Sequence, residues 1–207
     1  MPKQPGSFVV PVIIVLNVLV FLMWTFYGES FFMLENFLVS WDSLEQGRWW
    51  TTLTSEFSHN VLWHLVLNMT VLMSFGPMME QMLGSRFFLK FYLAAAVIAS
   101  LMHAAVSQYI VERPELPALG ASGAISGVAV LFSFMFPKAR MLIFFIIPVP
   151  AMVGALLFIG IDFWGLYAQA GGGGLPIGHG AHLGGALAGI LAYVFFVRSR
   201  MRRMAFR

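Results

Sequence analysis

Gly120-Ala121-Ser122-Gly123 lies near the start of an apolar segment of membrane length, and Gly178-His179-Gly180-Ala181-His182-Leu183-Gly184-Gly185 leads into the last one. A serine in a glycine-flanked turn at one helix start, and a histidine among small residues on another helix, is the pattern a nucleophile and its base take when hydrolysis is carried out inside a bilayer. Ser122 and His182 are therefore the candidate nucleophile and general base. The same residues also carry a packing reading. Gly120, Gly123, Ser126 and Gly127 form a small-residue face, Ala181, Gly185 and Gly189 form a matching ridge, and such faces serve close helix approach. The two readings are compatible, because docking the ridges would bring Ser122 and His182 together.

Composition supports the membrane setting independently. Of the 207 residues 59% are apolar and 10% charged, against a charged share of roughly 25% in soluble domains. Six stretches lack Asp, Glu, Lys and Arg: Phe8 to Tyr27, Phe57 to Met79, Phe91 to Val111, Leu116 to Pro137, Met141 to Ile161 and Phe163 to Val197. At about 20 residues per crossing, each can span the hydrocarbon layer. The expected fold is all-α: six transmembrane helices in a single membrane domain over residues 1–207. The first run is too long for the h-region of a signal peptide and lacks a persuasive cleavage site, so an uncleaved first helix is expected. With no cysteine in the chain, thiol catalysis, cysteine-ligated zinc and disulfides are excluded.

Charge placement orients the bundle. Ten of the twelve basic residues fall at Lys3, between spans two and three (Arg86, Lys90), between four and five (Lys138, Arg140), and in a tail over residues 198–207 (Arg198, Arg200, Arg202, Arg203, Arg207). These loops are expected on the cytoplasmic side, with both termini inside and the loop over residues 28–58 outside. The pI of 9.5 then reports topology and contact with anionic lipid head groups. No nucleic-acid face is expected, because the basic residues sit at helix ends without clustering.

The second span holds His59-Asn60-Val61-Leu62-Trp63-His64-Leu65-Val66-Leu67-Asn68. His64 and Asn68 are four apart, hence one helical turn apart on one face, and both can donate hydrogen bonds toward one point, as an oxyanion site requires. The alternative, a polar pair bonding a neighbouring helix, contributes on the order of 0.6 kcal/mol. Polar side chains inside a bilayer are expensive and mark function. With Ser122 and His182 elsewhere in the chain, the oxyanion reading is favoured. His59, His64, His179 and His182 all fall toward the outer side, which makes a metal site the rival chemistry. No HExxH is present, and no metal is expected.

These residues together resemble the rhomboid intramembrane serine proteases of the six-helix bacterial type. The resemblance runs from Gly47-Arg48-Trp49-Trp50-Thr51 through His59, His64 and Asn68, Glu80-Gln81-Met82-Leu83-Gly84-Ser85 and Gly120-Ala121-Ser122-Gly123 to Ala181-His182-Leu183-Gly184-Gly185. It implies a Ser122–His182 dyad without the orienting carboxylate of soluble triads. It also implies oxyanion donors at His64, Asn68 and the Ser122 N–H, and a structural His59. Gly120 and Gly123 flank the nucleophile, and Gly185 lets the last helix approach the serine helix. The first loop is expected half embedded in the outer leaflet, with Trp41, Trp49 and Trp50 at the interface. Two departures from the family pattern stand out. Trp50 precedes Thr51, where the family often has Trp-Arg, the arginine here being Arg48; and Ser126 stands where many bacterial members place an aromatic that packs on the catalytic histidine.

The implied activity is endopeptidase cleavage of transmembrane helices near the outer leaflet, with no cofactor. The implied partners are transmembrane protein substrates and membrane lipids, in a bacterial inner membrane; the oligomeric state is left open. The substrate must unwind locally to expose a carbonyl, and Gly171 to Gly174 are a candidate mobile cap or a plain linker. Asp162 is read as a capping or interface group near the outer end of helix five. The competing classes are a catalytically weak or inactive relative that binds membrane-protein clients, and a small transporter. The first typically lacks the nucleophile or base, and both are present. The second predicts polar groups continuing to the cytoplasmic side, whereas here they stop about halfway.

Overall fold

The structure is a computed structural model that describes residues 7–143, 146–199 and 201; Lys3 and most of the basic tail lie outside the described residues. Among the described residues, five helices are long and apolar enough to cross a membrane: α1 (Val9–Tyr27), α5 (Leu62–Leu83), α6 (Ser85–Tyr109), α8 (Ala151–Ala170) and α9 (His179–Ala192), the last continued by a π turn over Tyr193–Val197. In hydrocarbon every backbone N–H and C=O must be satisfied within the segment, so uninterrupted apolar runs of this length become helices. Between α1 and α5, three short helices, α2 (Phe31–Phe37), α3 (Trp41–Glu45) and α4 (Thr51–Thr54), fold the first loop.

The sixth expected span differs. Of Leu116 to Pro137, only Ser122–Met135 is helical (α7), a rod of about 21 Å at 1.5 Å per residue. The residues ahead of it are extended: Ala118 pairs with Val39 in an isolated β-bridge, and Gly120 has φ +116°, which a side chain would strain. Irregular backbone inside a membrane protein is tolerated where it lines a cavity, as it does here.

Two other expected boundaries also move. Most of Met141 to Pro150 is taken up by a hairpin, β1 (Arg140–Ile143) against β2 (Ile147–Pro150), with Met141 opposite Val149. Pro148 and Pro150 cannot lie in a helix interior, where each would remove a hydrogen bond and clash with the preceding turn, so no helix runs through them from Met141, and α8 begins at Ala151. It therefore runs on to Ala170, and Phe163–Ala170 belongs to this helix and not to the last one.

α7 sits at the centre, packed between α9 and α6, with α1 and α8 more peripheral. The small-residue ridges dock as expected. A Cβ added at Gly185 would lie 1.8 Å from the Gly123 carbonyl oxygen, and one at Gly189 would lie 2.5 Å from that of Gly127. The two backbones touch without intervening side chains. On its other side α9 meets α6, where a Cβ at Gly184 would lie 3.0 Å from Ala99 Cα.

At the opposite end from Ser122, Glu80 explains the Glu80–Ser85 motif. Its carboxylate accepts from Ser7 Oγ (2.6 Å), from the backbone N–H groups of Phe8, Val9 and Val10 (each 3.0 Å) and from Ser85 Oγ (2.6 Å). The three backbone N–H groups are orphan donors at the start of α1, so one acid on α5 caps α1 and ties it down.

The first loop is anchored in place of the absent Trp-Arg pair. Arg48 Nη1 donates to Glu35 Oε1 at 2.7 Å, Trp50 Nε1 donates to Asn36 Oδ1, and Thr51 is buried with its hydroxyl donating to the Arg48 carbonyl. Trp49 and Trp50 are exposed as interface residues would be, whereas Trp41 packs edge-on against Tyr109.

Candidate active site

Ser122 is the first residue of α7, held there by the loop that descends to it. Gly120 N–H donates to Ser55 O at 2.9 Å, and a Cβ at Gly120 would lie 2.6 Å from the His64 ring, so the glycine lets the chain pass beneath that histidine. Glu56 acts as the cap of α7: its Oε2 accepts from Ala124 N–H at 3.2 Å, one of the donors a helix start leaves without an intrahelical partner. Gly123 makes room for it, since a Cβ there would lie 2.9 Å from Glu56 Oε1. The sequence reading missed Glu56, which in the chain is 68 residues from the group it caps.

Burial pushes the Glu56 carboxyl up from its ordinary 4.5 to about 8, against the downward pull of the Ala124 N–H and Ser100 hydroxyl. A group raised on folding favours the folded state while it is protonated. Its contribution is therefore fully present below 4.5 and is lost as pH rises through about 8. The melting temperature in detergent is expected to fall across that window, and Glu56→Gln, which stays neutral, is expected to flatten the fall. An unchanged pH profile in the variant would assign the dependence to another group.

His182 sits one turn into α9, and its Nε2 lies 3.0 Å from Ser122 Oγ. The neighbouring Ser126 hydroxyl is engaged elsewhere, because Ser126 Oγ donates to the Ser122 carbonyl at 2.6 Å. The aromatic missing at position 126 is supplied from elsewhere. Phe158 on α8 lies against the His182 ring, with centroids 5.3 Å apart.

Asp162 is not a helix cap. Because α8 extends to Ala170, Asp162 falls well inside it and is 2% exposed, facing the start of α9. Its Oδ1 accepts from His179 Nδ1 at 2.7 Å and from His182 Nδ1 at 2.9 Å. Asp162, His179 and His182 are also a group able to hold a metal ion by type. Their spacings are those of direct hydrogen bonds.

His64 and Asn68 line the same cavity as Ser122 and His182, a space of about 570 Å³ that Gln169, Pro176 and Ile177 also border. The two do not present equivalent donors. Asn68 Nδ2 is within 3.1 Å of both His59 Nε2 and the His64 carbonyl oxygen, so its amide is engaged while the His64 ring faces the cavity. Burial pushes the His59 ring down to about 3, which keeps it neutral and able to accept from Asn68. The Gly171–Gly174 stretch is tied at its flank: Gln169 Nε2 donates to the carbonyls of Leu175 and Ile177, both at 2.8 Å.

The Rhomboid domain family matches residues 46–199. The chain is 35% identical over 202 residues to RHOMBOID-like protein 12, mitochondrial, of Arabidopsis thaliana, covering 92% of this chain and 59% of that protein. It is 37% identical over 159 residues to Rhomboid protein 1, mitochondrial, of Saccharomyces cerevisiae (72% of this chain, 44% of that protein). It is 35% identical over 187 residues to the human presenilin-associated rhomboid-like protein, mitochondrial (89% and 47%). The chain thus spans about half the length of the curated relatives it matches. Their names place them in mitochondria and not in the bacterial inner membrane that the six-helix resemblance implied. With span-length apolar helices, ridge-docked α7 and α9, and a family match over residues 46–199, this chain is an integral membrane protein of the rhomboid family.

Proposed function

We propose that this chain is an intramembrane serine endopeptidase working through a Ser122–His182 dyad on transmembrane protein substrates. The observation that carries the reading is the 3.0 Å approach of Ser122 Oγ to His182 Nε2 at the wall of a cavity that His64 and Asn68 also line. Ser122 Oγ attacks a peptide carbonyl, its proton passes to His182 Nε2, and the imidazolium returns that proton to the leaving amine. The N-terminal N–H groups of α7 and the His64 side chain meet the developing oxyanion. Asn68 joins them by releasing one of its present bonds, or else acts by holding His59 in place. A single such donor is worth roughly 3 to 4 kcal/mol of barrier.

Residues 1–207 form one domain in this reading, with both termini and the basic loops on the cytoplasmic side and the Ser122 end with the 28–58 loop opposite. The bacterial inner membrane rests on the six-helix resemblance alone. The names of the relatives favour an organelle, and fractionation of the host separates the two.

One experiment tests the chemistry and the orientation together. A charged fluorophosphonate probe is applied to sealed vesicles of known sidedness, and the adduct is located by mass spectrometry. The expected adduct is on Ser122, formed only from the side opposite the basic loops and slowed in Asn68→Ala and His64→Ala proteins of unchanged melting temperature. An adduct on Ser126 would mean that the nucleophile is misassigned, and none on a folded protein would favour the client-binding reading. Labelling from the basic side alone would invert the topology.

A further inference from the structure

Asp162 is a carboxyl group at 2% exposure on a membrane-spanning helix, and a dyad mechanism gives it nothing to do. Such a group is expensive in hydrocarbon and persists where something depends on it. Its Oδ1 receives both His179 Nδ1 and His182 Nδ1, while its buried Oδ2 makes no hydrogen bond among the described residues. The carboxylate is thus held through one oxygen, at the N-terminal turn of α9, where the helix dipole favours negative charge.

We propose that Asp162 is a positioning residue for His182, with His179 as its brace, so that the site operates as a Ser122–His182–Asp162 relay. This rests on the dyad reading above and adds a third member to it. A carboxylate only accepts, so the ring nitrogen facing it must carry a proton; His182 is therefore the Nδ1–H tautomer, and its Nε2 lone pair is left for the Ser122 hydroxyl. The opposite tautomer would present an N–H to Ser122 and could not take its proton. When that proton arrives at Nε2, the imidazolium keeps its Nδ1–H on Asp162, and a positive charge forms beside a negative one without rearrangement.

His179 fixes the carboxylate in turn. It is 4% exposed, and its ring occupies the space beside Gly165 on α8, where a Cβ would lie 2.2 Å from it. Phe158 lies against the His182 ring, with centroids 5.3 Å apart. Ring plane and tautomer are thus set from α8, a helix that contributes no reacting atom, while α9 carries the residue itself.

The test uses the full chain in detergent, with cleavage of a fluorogenic transmembrane peptide and nitrogen-15 NMR of the histidines. In the wild type, His179 and His182 are expected to carry their protons on Nδ1. Asp162→Ala is expected to lower kcat by about 10²-fold or more, to leave KM within about twofold, and to let His182 move its proton to Nε2. Asp162→Asn offers an N–H that favours the Nε2–H tautomer of His182, so it is expected to restore none of the rate, whereas Asp162→Glu, which keeps a carboxylate, is expected to restore part of it. An Nε2–H tautomer for His182 in the wild type overturns the proposal even where no variant folds. So does an Asp162→Ala protein whose activity per folded molecule is unchanged, or a chelator that removes wild-type activity and shifts both histidine signals. Failure of the underlying reading is distinct: there, Ser122→Ala would cleave as fast as the wild type.

Discussion

Ser122→Ala, His182→Ala and the double variant are expected to be equally inactive toward a transmembrane substrate, each about 10³-fold or more below the wild type. The base has no task without the nucleophile, and the nucleophile at neutral pH is a poor one without the base, so removing the second group after the first costs nothing further. The geometry makes the expectation sharp. His182 Nε2 has one hydroxyl at 3.0 Å, and the neighbouring hydroxyl, that of Ser126, is spent on a helix carbonyl. All three proteins should stay folded, since neither side chain supplies the α7–α9 packing, which is made by glycines. Initial rates on a fluorogenic transmembrane peptide, with melting temperatures measured alongside, check this. A double variant far less active than either single one would mean that the two residues act independently.

Those groups were legible in the sequence because each sits in a local pattern with a physical reason. Ser122 needs glycines around it so that the chain can turn and then pack, and His182 needs a small-residue ridge to reach it. Ridge matching alone was enough to pair α7 with α9, since Gly123, Gly127, Gly185 and Gly189 repeat at helical spacing and the contact is backbone on backbone. The all-α membrane bundle followed from charge-free runs for a similar reason, because lipid leaves a chain few alternatives.

Asp162 and Glu56 were illegible in two different ways. Charge-free stretches mark what lipid tolerates and leave helix ends undetermined. Starting helix five at Met141 put Asp162 near its end, where a carboxyl reads as a cap. Pro148 and Pro150 carried the correcting signal, since a helix cannot run through them from Met141, which moves its start toward Ala151 and Asp162 inward to face α9. Glu56 offered no such signal. A lone acid in a polar loop reads as solvated, and only the folded chain brings its carboxyl to Ala124 N–H. Asn68 shows the converse limit: helical spacing placed it on the face of His64, but not the bond to His59 that engages its amide.

Gly185→Ala is expected to be the most damaging single-methyl change in the molecule. The added Cβ would fall 1.8 Å from the Gly123 carbonyl oxygen and 3.3 Å from Gly127 N, both backbone atoms of α7 that no rotamer can move. α9 must therefore shift away from α7 by an ångström or more, on the order of 3 kcal/mol of overpacking. That displacement carries His182 away from Ser122, because the two residues sit on the helices being wedged apart, within a turn of the contact. A shift of about 1 Å in a reacting pair is worth roughly 10²-fold in rate. Stability and activity should thus both fall, with the activity loss exceeding what the unfolded fraction explains at a temperature where the variant is mostly folded. Gly160→Ala on α8 is the control, since a Cβ there meets nothing within 4 Å. An active and stable Gly185→Ala protein would mean that α7 and α9 do not meet through this glycine, and the placement of His182 against Ser122 would fall with it.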